Sequence, residues 1–284
     1  AIEARLYAED PSNEFAPGFG TLAYLDLPEE GDDLRIDSGV DEGDEVTVHY
    51  DPMIAKVIVY AAERDGACKA MSDALSDVRI AGPATNEAFL KAIIDHAEFR
   101  DGGFDTGFIA RNIADLAPPT APVPEHIVAL AALAELTRPA GARDDPSPWT
   151  HAQGWRLGGA RRRRIVVVAN EDAAEFALQA TGLTRDGAPV AVSGSWTGAD
   201  EFDGMADGSR LPATVIRNGT VVTVFTSDGR YTIAVDDPVA ASGTGTADAG
   251  SLFARMPGVV VAVHVADGAQ VVAGAPLLAI EAMK

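Results

Sequence analysis

A helix that is apolar on nearly every side limits most strongly how this chain can fold. The spacing of its apolar residues predicts the helix from about residue 125 to residue 137. Such a helix should be enclosed by other parts of the protein, because it has no polar face to turn towards water. Its apolar side chains are those of Ile127, Leu130, Leu133, Ala134 and Leu136.

The sequence after this helix predicts short antiparallel strands separated by turns. Asp186-Gly187, Asn218-Gly219 and Asp228-Gly229 are dipeptides typical of tight hairpin turns. One enclosed helix followed by roughly eight short strands predicts an antiparallel β-barrel around a central helix. The strands that the pattern defines best are 165–169, 175–180, 188–193, 213–217, 220–226 and 231–235.

The sequence before the helix predicts a separate α+β unit. The run 56–61 is apolar almost throughout, which favours a central strand, and Asn86 is placed to cap the start of a helix. Predicted strands are 2–8, 34–38, 45–50 and 56–61, and predicted helices are 64–77 and 87–95.

Two stretches of biased composition divide the chain. Residues 117–124 are rich in proline, and residues 240–250 are rich in glycine, serine, threonine and alanine, a composition typical of a flexible tether. We therefore predict a multidomain α+β protein with four parts. They are the α+β unit at 1–116, the barrel with its helix at 117–240, the tether at 241–251 and a small β unit at 252–284.

Charge and cysteine content exclude several classes of protein. A formal net charge of −21 argues against binding nucleic acid or an anionic membrane through overall electrostatics. The single cysteine, Cys68, rules out an internal disulfide and fits a reducing compartment. No apolar run reaches membrane-spanning length. The histidines and Cys68 lack the spacing of metal ligands, so no metal site is predicted in this sequence.

The last part of the sequence carries a recognisable motif. Met256-Pro257-Gly258 is followed by the strand-forming valines 259, 261, 263 and 265, predicted to share one face, and by a turn at Asp267-Gly268. Further strands are predicted near 270–273 and 276–280, and the sequence ends in Glu281-Ala282-Met283-Lys284.

This combination resembles the first half of a biotinyl domain, a flattened β-sandwich that presents a lysine at a hairpin tip. The resemblance implies that biotin is attached covalently to Lys284, within a recognition sequence formed by Glu281, Ala282 and Met283. A lipoyl domain shares this fold, but its lysine usually follows an acidic residue, so Met283 favours biotin.

The N-terminal sequence resembles the C-terminal lobe of biotin carboxylases. The similarity lies in residues 1–11, 43–56 and 105–109, and in Gly82 with Thr85-Asn86. It implies that Arg35, within Leu34-Arg35-Ile36-Asp37-Ser38, is the catalytic arginine that helps to bind bicarbonate and stabilises the biotin enolate. A guanidinium group suits both roles, since it pairs two-pronged with a planar anion and stays charged.

Two further charged residues lie on the first predicted strand. Glu3 and Arg5 either line the same cleft as Arg35 or brace the sheet, and bracing is favoured. The resemblance also implies that ATP, with Mg²⁺ or Mn²⁺, is bound by residues N-terminal to residue 1.

The region 117–240 resembles the domain that links the two subunits of acyl-CoA carboxylases, with a protruding hook at 138–155. Trp149 and Trp155 in this hook either anchor an interface or cap the barrel. The whole chain is thus identified as a member of the biotin-dependent acyl-CoA carboxylases, which are ligases that form carbon–carbon bonds. The resemblance is strongest to the biotin-bearing α subunits of the 3-methylcrotonyl-CoA type, which act in leucine breakdown.

The resemblance implies particular partners and a location. A carboxyltransferase β subunit would bind the acyl-CoA, and a biotin protein ligase would modify Lys284. The location would be the bacterial cytoplasm, or the mitochondrial matrix in a eukaryote. These residues alone are expected to be inactive.

Three alternatives remain open. One is a propionyl-CoA or geranyl-CoA carboxylase, and another is a carrier or assembly module without catalysis of its own. A pyruvate carboxylase is disfavoured, because the roughly 130 residues between the carboxylase lobe and the carrier are too few for a TIM barrel.

Overall fold

The computed structural model describes residues 1–119, 121–139, 163–236, 258–272 and 274–281. We call residues 1–119 the N-terminal region, 121–139 with 163–236 the middle region, and the described residues from 258 onward the C-terminal region. The strands of the N-terminal region are β1 Ile2–Tyr7, β2 Glu9–Asp10, β3 Ala16–Pro17, β4 Gly20–Thr21, β5 Tyr24–Asp26, β6 Leu34–Ser38, β7 Glu45–Val46, β8 Met53–Val59 and β9 Arg79–Ala81. Its helices are α1 Arg64–Asp77, α2 Glu87–Asp95, α3 Ala97–Arg100 and α4 Phe108–Leu116, with a 3-10 turn at Pro11–Asn13.

A three-stranded antiparallel sheet organises the N-terminal region, and β8 lies between β1 and β6. This confirms the central place predicted from the apolar run. One face of the sheet is buried, with Leu6, Val57 and Val59 almost completely shielded, and it packs in one core with Met71 and Leu75 of α1. The predicted bounds of α1 and α2 are also confirmed.

One local prediction for this region was wrong, and another was confirmed in position but not in its bonding. Of the strand predicted at 45–50, only β7 at Glu45–Val46 is a strand, and the chain then turns before Pro52. The proline ring removes a backbone N–H donor and restricts the backbone angles of the preceding residue. Asn86 occupies the N-cap position of α2, as predicted, but its side chain makes no capping hydrogen bond. Its side chain instead accepts a hydrogen bond from Tyr7 N at 2.9 Å and donates to Arg5 O at 3.2 Å, so it ties α2 to β1.

The middle region consists of helix α5 Glu125–Thr137 and a nine-stranded antiparallel sheet. Nearly every residue of α5 from Ile127 to Leu136 is buried, which confirms that the helix is enclosed. The helix contacts strands across the sheet, including one at its edge. The strands are β10 Arg163–Ala169, β11 Asp172–Gln179, β12 Gly182–Arg185, β13 Ala188–Pro189, β14 Val192–Trp196, β15 Glu201–Ala206, β16 Ser209–Asn218, β17 Val221–Thr226 and β18 Gly229–Asp236.

Glycines explain why some of these strands were not predicted. β12 begins at Gly182, and β14 and β15 contain Gly194 and Gly204, a residue type that weakens a strand pattern. The strand predicted at 188–193 is in fact divided between β13 and β14. At Gly204 the fold requires the small residue, because an added Cβ would lie 2.3 Å from Leu130 Cδ1. Gly204 thus lets β15 approach the enclosed helix closely.

One charged residue, Glu135, lies within the buried part of α5. Its side chain is 1% exposed and is held by two arginines, with Arg217 Nη1 2.6 Å from Oε2 and Arg138 Nε 2.8 Å from Oε1. The Arg138 guanidinium also lies 4.4 Å from the ring centre of Trp196, and the Trp196 indole donates to Ala134 O. These contacts fix the C-terminal end of α5 to the sheet.

The N-terminal and middle regions contact each other directly. Arg230 Nη1 lies 3.2 Å from Glu87 Oε1 and donates to Thr85 Oγ1 at 3.0 Å, while Arg79 donates to Thr214 Oγ1 at 2.9 Å. A small apolar cluster lies at the same junction and comprises Tyr24, Ala81, Ile216 and Phe225.

The C-terminal region contains two paired antiparallel strands, β19 Val259–Val263 and β20 Leu278–Glu281. The turn at Asp267-Gly268 is present, but residues 270–272 form no strand. The register shifts between Val260 and Ala262, so the valines do not share one face as the alternation predicted. The half-sandwich remains a prediction. The tryptophans of the predicted hook, Trp149 and Trp155, and the predicted tether at 241–251 lie outside the described residues.

Within the described ranges, no helix combines the length and apolar character that crossing a membrane requires.

Candidate functional site

The face of the N-terminal sheet opposite its core carries a group of charged side chains. In the antiparallel register, Glu3 of β1 and Arg35 of β6 both pair with Ile58 of β8, which lies between them. Residues paired across strands, and residues two apart along a strand, point to the same side of a sheet. We call this set the charged face; its members are Glu3, Arg5, Arg35, Asp37, Lys56 and Ile58.

Arg35 is held in an extended, two-pronged pair with Asp37 two residues along β6. Arg35 Nε lies 2.8 Å from Asp37 Oδ1, and Arg35 Nη2 lies 3.1 Å from Asp37 Oδ2. The side chain of Arg35 is 70% exposed, so this pair stabilises the fold little. The hydrogen bonds to Asp37 raise the pKa of the Arg35 guanidinium, which therefore remains charged throughout the physiological pH range. The Nη1 nitrogen donates to no acceptor within the described residues.

A second pair on β1 mirrors this arrangement. Arg5 Nε lies 3.0 Å from Glu3 Oε1, and this hydrogen bond raises the pKa of Arg5. Glu3 and Arg5 therefore lie on the same sheet face as Arg35, with β8 between their strand and that of Arg35. Glu3 and Arg5 pair with each other, as Arg35 pairs with Asp37. This geometry places them beside the candidate site and is also compatible with the bracing role favoured by the sequence.

Sequence reasoning missed two members of the charged face, Lys56 and Asp37. Lys56 occupies the middle strand, directly opposite Arg5 on one side and Asp37 on the other. The signal in the sequence is a single charged residue at the start of an otherwise apolar run. Without the strand register, nothing in the sequence indicates that Lys56 and Arg35 are neighbours.

The charged face is distinct from the large cleft of the structure. That cleft has a volume of about 1100 Å³ and lies between the N-terminal and middle regions. It is lined by residues such as Lys91, Glu87, Thr214 and Arg230, and by none of the charged-face residues. Among the described residues, no group of three or more histidine, cysteine, aspartate or glutamate side chains is arranged to hold a metal ion.

The second predicted site lies at the end of the C-terminal region. Glu281 is the last residue of β20 and pairs with Val259. Ala282, Met283 and Lys284 lie outside the described residues. The sheet pairing up to Glu281 fits a carrier in which the modified lysine directly follows a strand.

Comparison with known proteins identifies two family domains in sequence order. Residues 3–111 match the biotin carboxylase C-terminal domain. Residues 124–238 match the BT domain of the methylcrotonyl-CoA carboxylase alpha-subunit. Arg35 and the rest of the charged face fall in the first domain, and the enclosed helix falls in the second.

Individual relatives and one solved structure show the following similarity to the chain. The methylcrotonoyl-CoA carboxylase subunit alpha of Dictyostelium discoideum is 32% identical over 100% of this chain and 44% of its own length. The propionyl-CoA carboxylase alpha chain of Ruegeria pomeroyi is 31% identical over 100% of this chain and 46% of its own length. A solved biotin carboxylase domain of a thermophilic 2-oxoglutarate carboxylase, bound to bicarbonate, is 35% identical over 40% of this chain and 26% of that chain, with a TM-score of 0.39.

The chain spans less than half the length of these curated relatives. The two domains in this order, and the relatives that align with the chain from end to end, show that the chain belongs to the methylcrotonyl-CoA carboxylase α-subunit family of biotin-dependent carboxylases.

Proposed function

We propose that this chain supplies the C-terminal lobe of a biotin carboxylase, a subunit-linking domain and the biotin attachment site of a 3-methylcrotonyl-CoA carboxylase α subunit. The observation that carries the proposal is the exposed, positively charged Arg35 on the charged face of a biotin carboxylase C-terminal domain. The domain limits proposed are 1–116, 117–240, 241–251 and 252–284.

Arg35 is suited to bind an anion on this face. Asp37 occupies Nε and Nη2, which fixes the plane of the guanidinium group and leaves Nη1 directed away from that carboxylate. A charged donor that is already oriented can stabilise negative charge that develops during a reaction without reorganising first. We propose that Arg35 binds bicarbonate and stabilises negative charge on the biotin ring.

Lys284 is the proposed attachment point, with Glu281, Ala282 and Met283 as its recognition sequence. Biotin, when attached, accepts a carboxyl group on a ring nitrogen and gives it up to an acyl-CoA. ATP and Mg²⁺ or Mn²⁺ would be bound outside this chain, in line with its coverage of less than half of its relatives.

Partners and location follow from the same family. A carboxyltransferase β subunit would bind 3-methylcrotonyl-CoA, a biotin protein ligase would modify Lys284, and the reaction would belong to leucine degradation in the cytoplasm of a bacterium or in a mitochondrion. The BT-domain match, which carries the methylcrotonyl-CoA carboxylase description, favours this substrate over propionyl-CoA.

Biotinylation tests the carrier assignment. Protein expressed with an active biotin ligase should give a streptavidin signal that Lys284→Arg abolishes, because the amide forms only at that amine. Lys69→Arg is the matched control, since Lys69 is an exposed lysine on α1 and should leave the signal unchanged. An unlabelled wild-type protein, or a label that survives Lys284→Arg, would contradict the assignment.

Acyl-CoA preference tests the substrate assignment. The full-length α subunit that contains this sequence, assembled with its carboxyltransferase partner, should carboxylate 3-methylcrotonyl-CoA with a kcat/KM at least tenfold above that for propionyl-CoA. The reverse preference would support a propionyl-CoA carboxylase, the function of the Ruegeria pomeroyi relative named above. Carboxylation of neither substrate, despite full biotinylation, would favour a carrier module without catalysis.

A further inference from the structure

Lys56 differs from the other lysines of the chain. The sequence contains four, at positions 56, 69, 91 and 284. Lys69 and Lys91 form pairs with Asp73 and Asp95 one helical turn away, as exposed helical lysines commonly do. Lys56 instead projects from the central strand of a sheet and is half-buried, and its side chain forms no ion pair or hydrogen bond within the described residues.

The carboxylate opposite Lys56 is paired with Arg35. Asp37 lies directly opposite Lys56 in the register, but both of its carboxylate oxygens are already engaged by Arg35. On the other side, Lys56 faces Arg5, whose positive charge repels it. The charged face itself holds three cations and two carboxylates, and Glu30 is a further carboxylate that acts on Arg35.

The register also brings the unpaired donors of this face together. Arg35 is the diagonal neighbour of Lys56; such residues lie about 7–8 Å apart, and their Cβ atoms lie somewhat closer. Both side chains are long enough to reach one small ligand between them. The adjacent Ile58 lies between Glu3 and Arg35 and offers an apolar surface, which strengthens charge interactions nearby by excluding water.

We propose that Lys56 and Arg35 together bind one small oxyanion, bicarbonate, on the charged face. This inference rests on the proposed function and adds a second binding residue to it. Arg35 supplies a fixed donor plane, and Lys56 supplies a mobile point charge from the neighbouring strand. Asp37 acts as a positioning residue, because it orients Arg35 and leaves Lys56 free.

Steady-state kinetics of the full-length α subunit measure this role. In Lys56→Met the KM for bicarbonate should rise roughly 10- to 100-fold, as expected for loss of a charge-assisted hydrogen bond, while the KM for ATP stays within about twofold. Lys56→Arg should restore most of the bicarbonate affinity, because it keeps the charge. Lys69→Met, at an exposed position on α1, should change neither constant.

A binding measurement independent of turnover accompanies the kinetics. Lysines are labelled by reductive ¹³C-methylation, and the signal that is lost in Lys56→Arg is assigned to Lys56. On addition of bicarbonate this signal should shift and saturate, and the shift should weaken in Arg35→Gln. The signal of Lys69 should not move.

The outcomes separate this inference from the proposed function. An unchanged KM for bicarbonate in Lys56→Met, or a Lys56 signal that ignores bicarbonate, overturns the inference even if the enzyme is active. A fall in thermal stability without a change in that KM would mean that Lys56 is only structural, and it overturns the inference too. Absence of bicarbonate-dependent activity in the wild type contradicts the proposed function, whereas the Lys56 signal still tests anion binding.

Discussion

Replacement of Arg35 by glutamine should lower kcat/KM for the bicarbonate-dependent carboxylation of biotin by about 10²–10³-fold, the effect of removing one oriented donor to a developing anion. Glutamine is neutral and cannot pair two-pronged with a planar oxyanion. Because the side chain of Arg35 is 70% exposed, its loss should leave the free energy of unfolding nearly unchanged. The measurement is the initial rate of the biotin carboxylase half-reaction in the full-length α subunit.

The chain offers a closely matched control for this experiment in Arg210. Its side chain is also 70% exposed and also pairs with an aspartate, Asp203, at 2.7 Å, but it lies on β16 of the middle region. Arg210→Gln should leave the half-reaction unchanged. Equal rates for Arg35→Gln and the wild type would contradict the assignment of Arg35 as a catalytic residue.

Replacement of Arg217 by methionine should destabilise the middle region by about 3 kcal/mol. The reason lies in Glu135, whose side chain is 1% exposed and whose Oε2 lies 2.6 Å from Arg217 Nη1. Removing this arginine leaves a buried carboxylate with Arg138 as its one remaining cationic partner among the described residues. Urea unfolding, followed by circular dichroism and tryptophan fluorescence, measures the change.

Two further variants show whether the buried carboxylate causes this effect. Glu135→Leu should cost less than Arg217→Met, because Arg138 and Arg217 are 24% and 34% exposed and can each turn towards water. Arg210→Met removes an exposed pair and should leave the free energy of unfolding nearly unchanged. Equal stability of Arg217→Met and Arg210→Met would refute a structural role for the buried pair.

The fold of the chain could be predicted where one strong physical signal dominated. The uniformly apolar sequence of α5 required enclosure, and the apolar run that contains β8 required a central strand; both are found. Helices α1 and α2 were predicted with their bounds, since helical periodicity is a local property. Strands that contain glycine, such as β15, could not be predicted, because their place in the sheet depends on packing against α5 rather than on their own propensity.

The candidate site could be predicted only in part, for a different reason. Arg35 was found through its resemblance to a family motif, and the same motif contains Asp37 without indicating that it holds the arginine. Lys56 is 21 positions further along the chain, and the family-like stretch 43–56 that ends with it does not indicate that it lies beside Arg35. Asn86 shows the same limit, since its bonds to β1 join residues about 80 positions apart.

The sequence alone determined the order of the first two domains, the enclosed helix and the identity of the residues proposed for chemistry, because these depend on local composition, periodicity and motif. The tertiary structure decided which residues share a face and which charges remain unpaired. The physical reason is strand register: pairing β8 between β1 and β6 places Lys56 beside Asp37 and diagonal to Arg35, and a shift of one residue would send Lys56 into the apolar core. The two-pronged pair of Arg35 with Asp37 then leaves Lys56 available for a ligand.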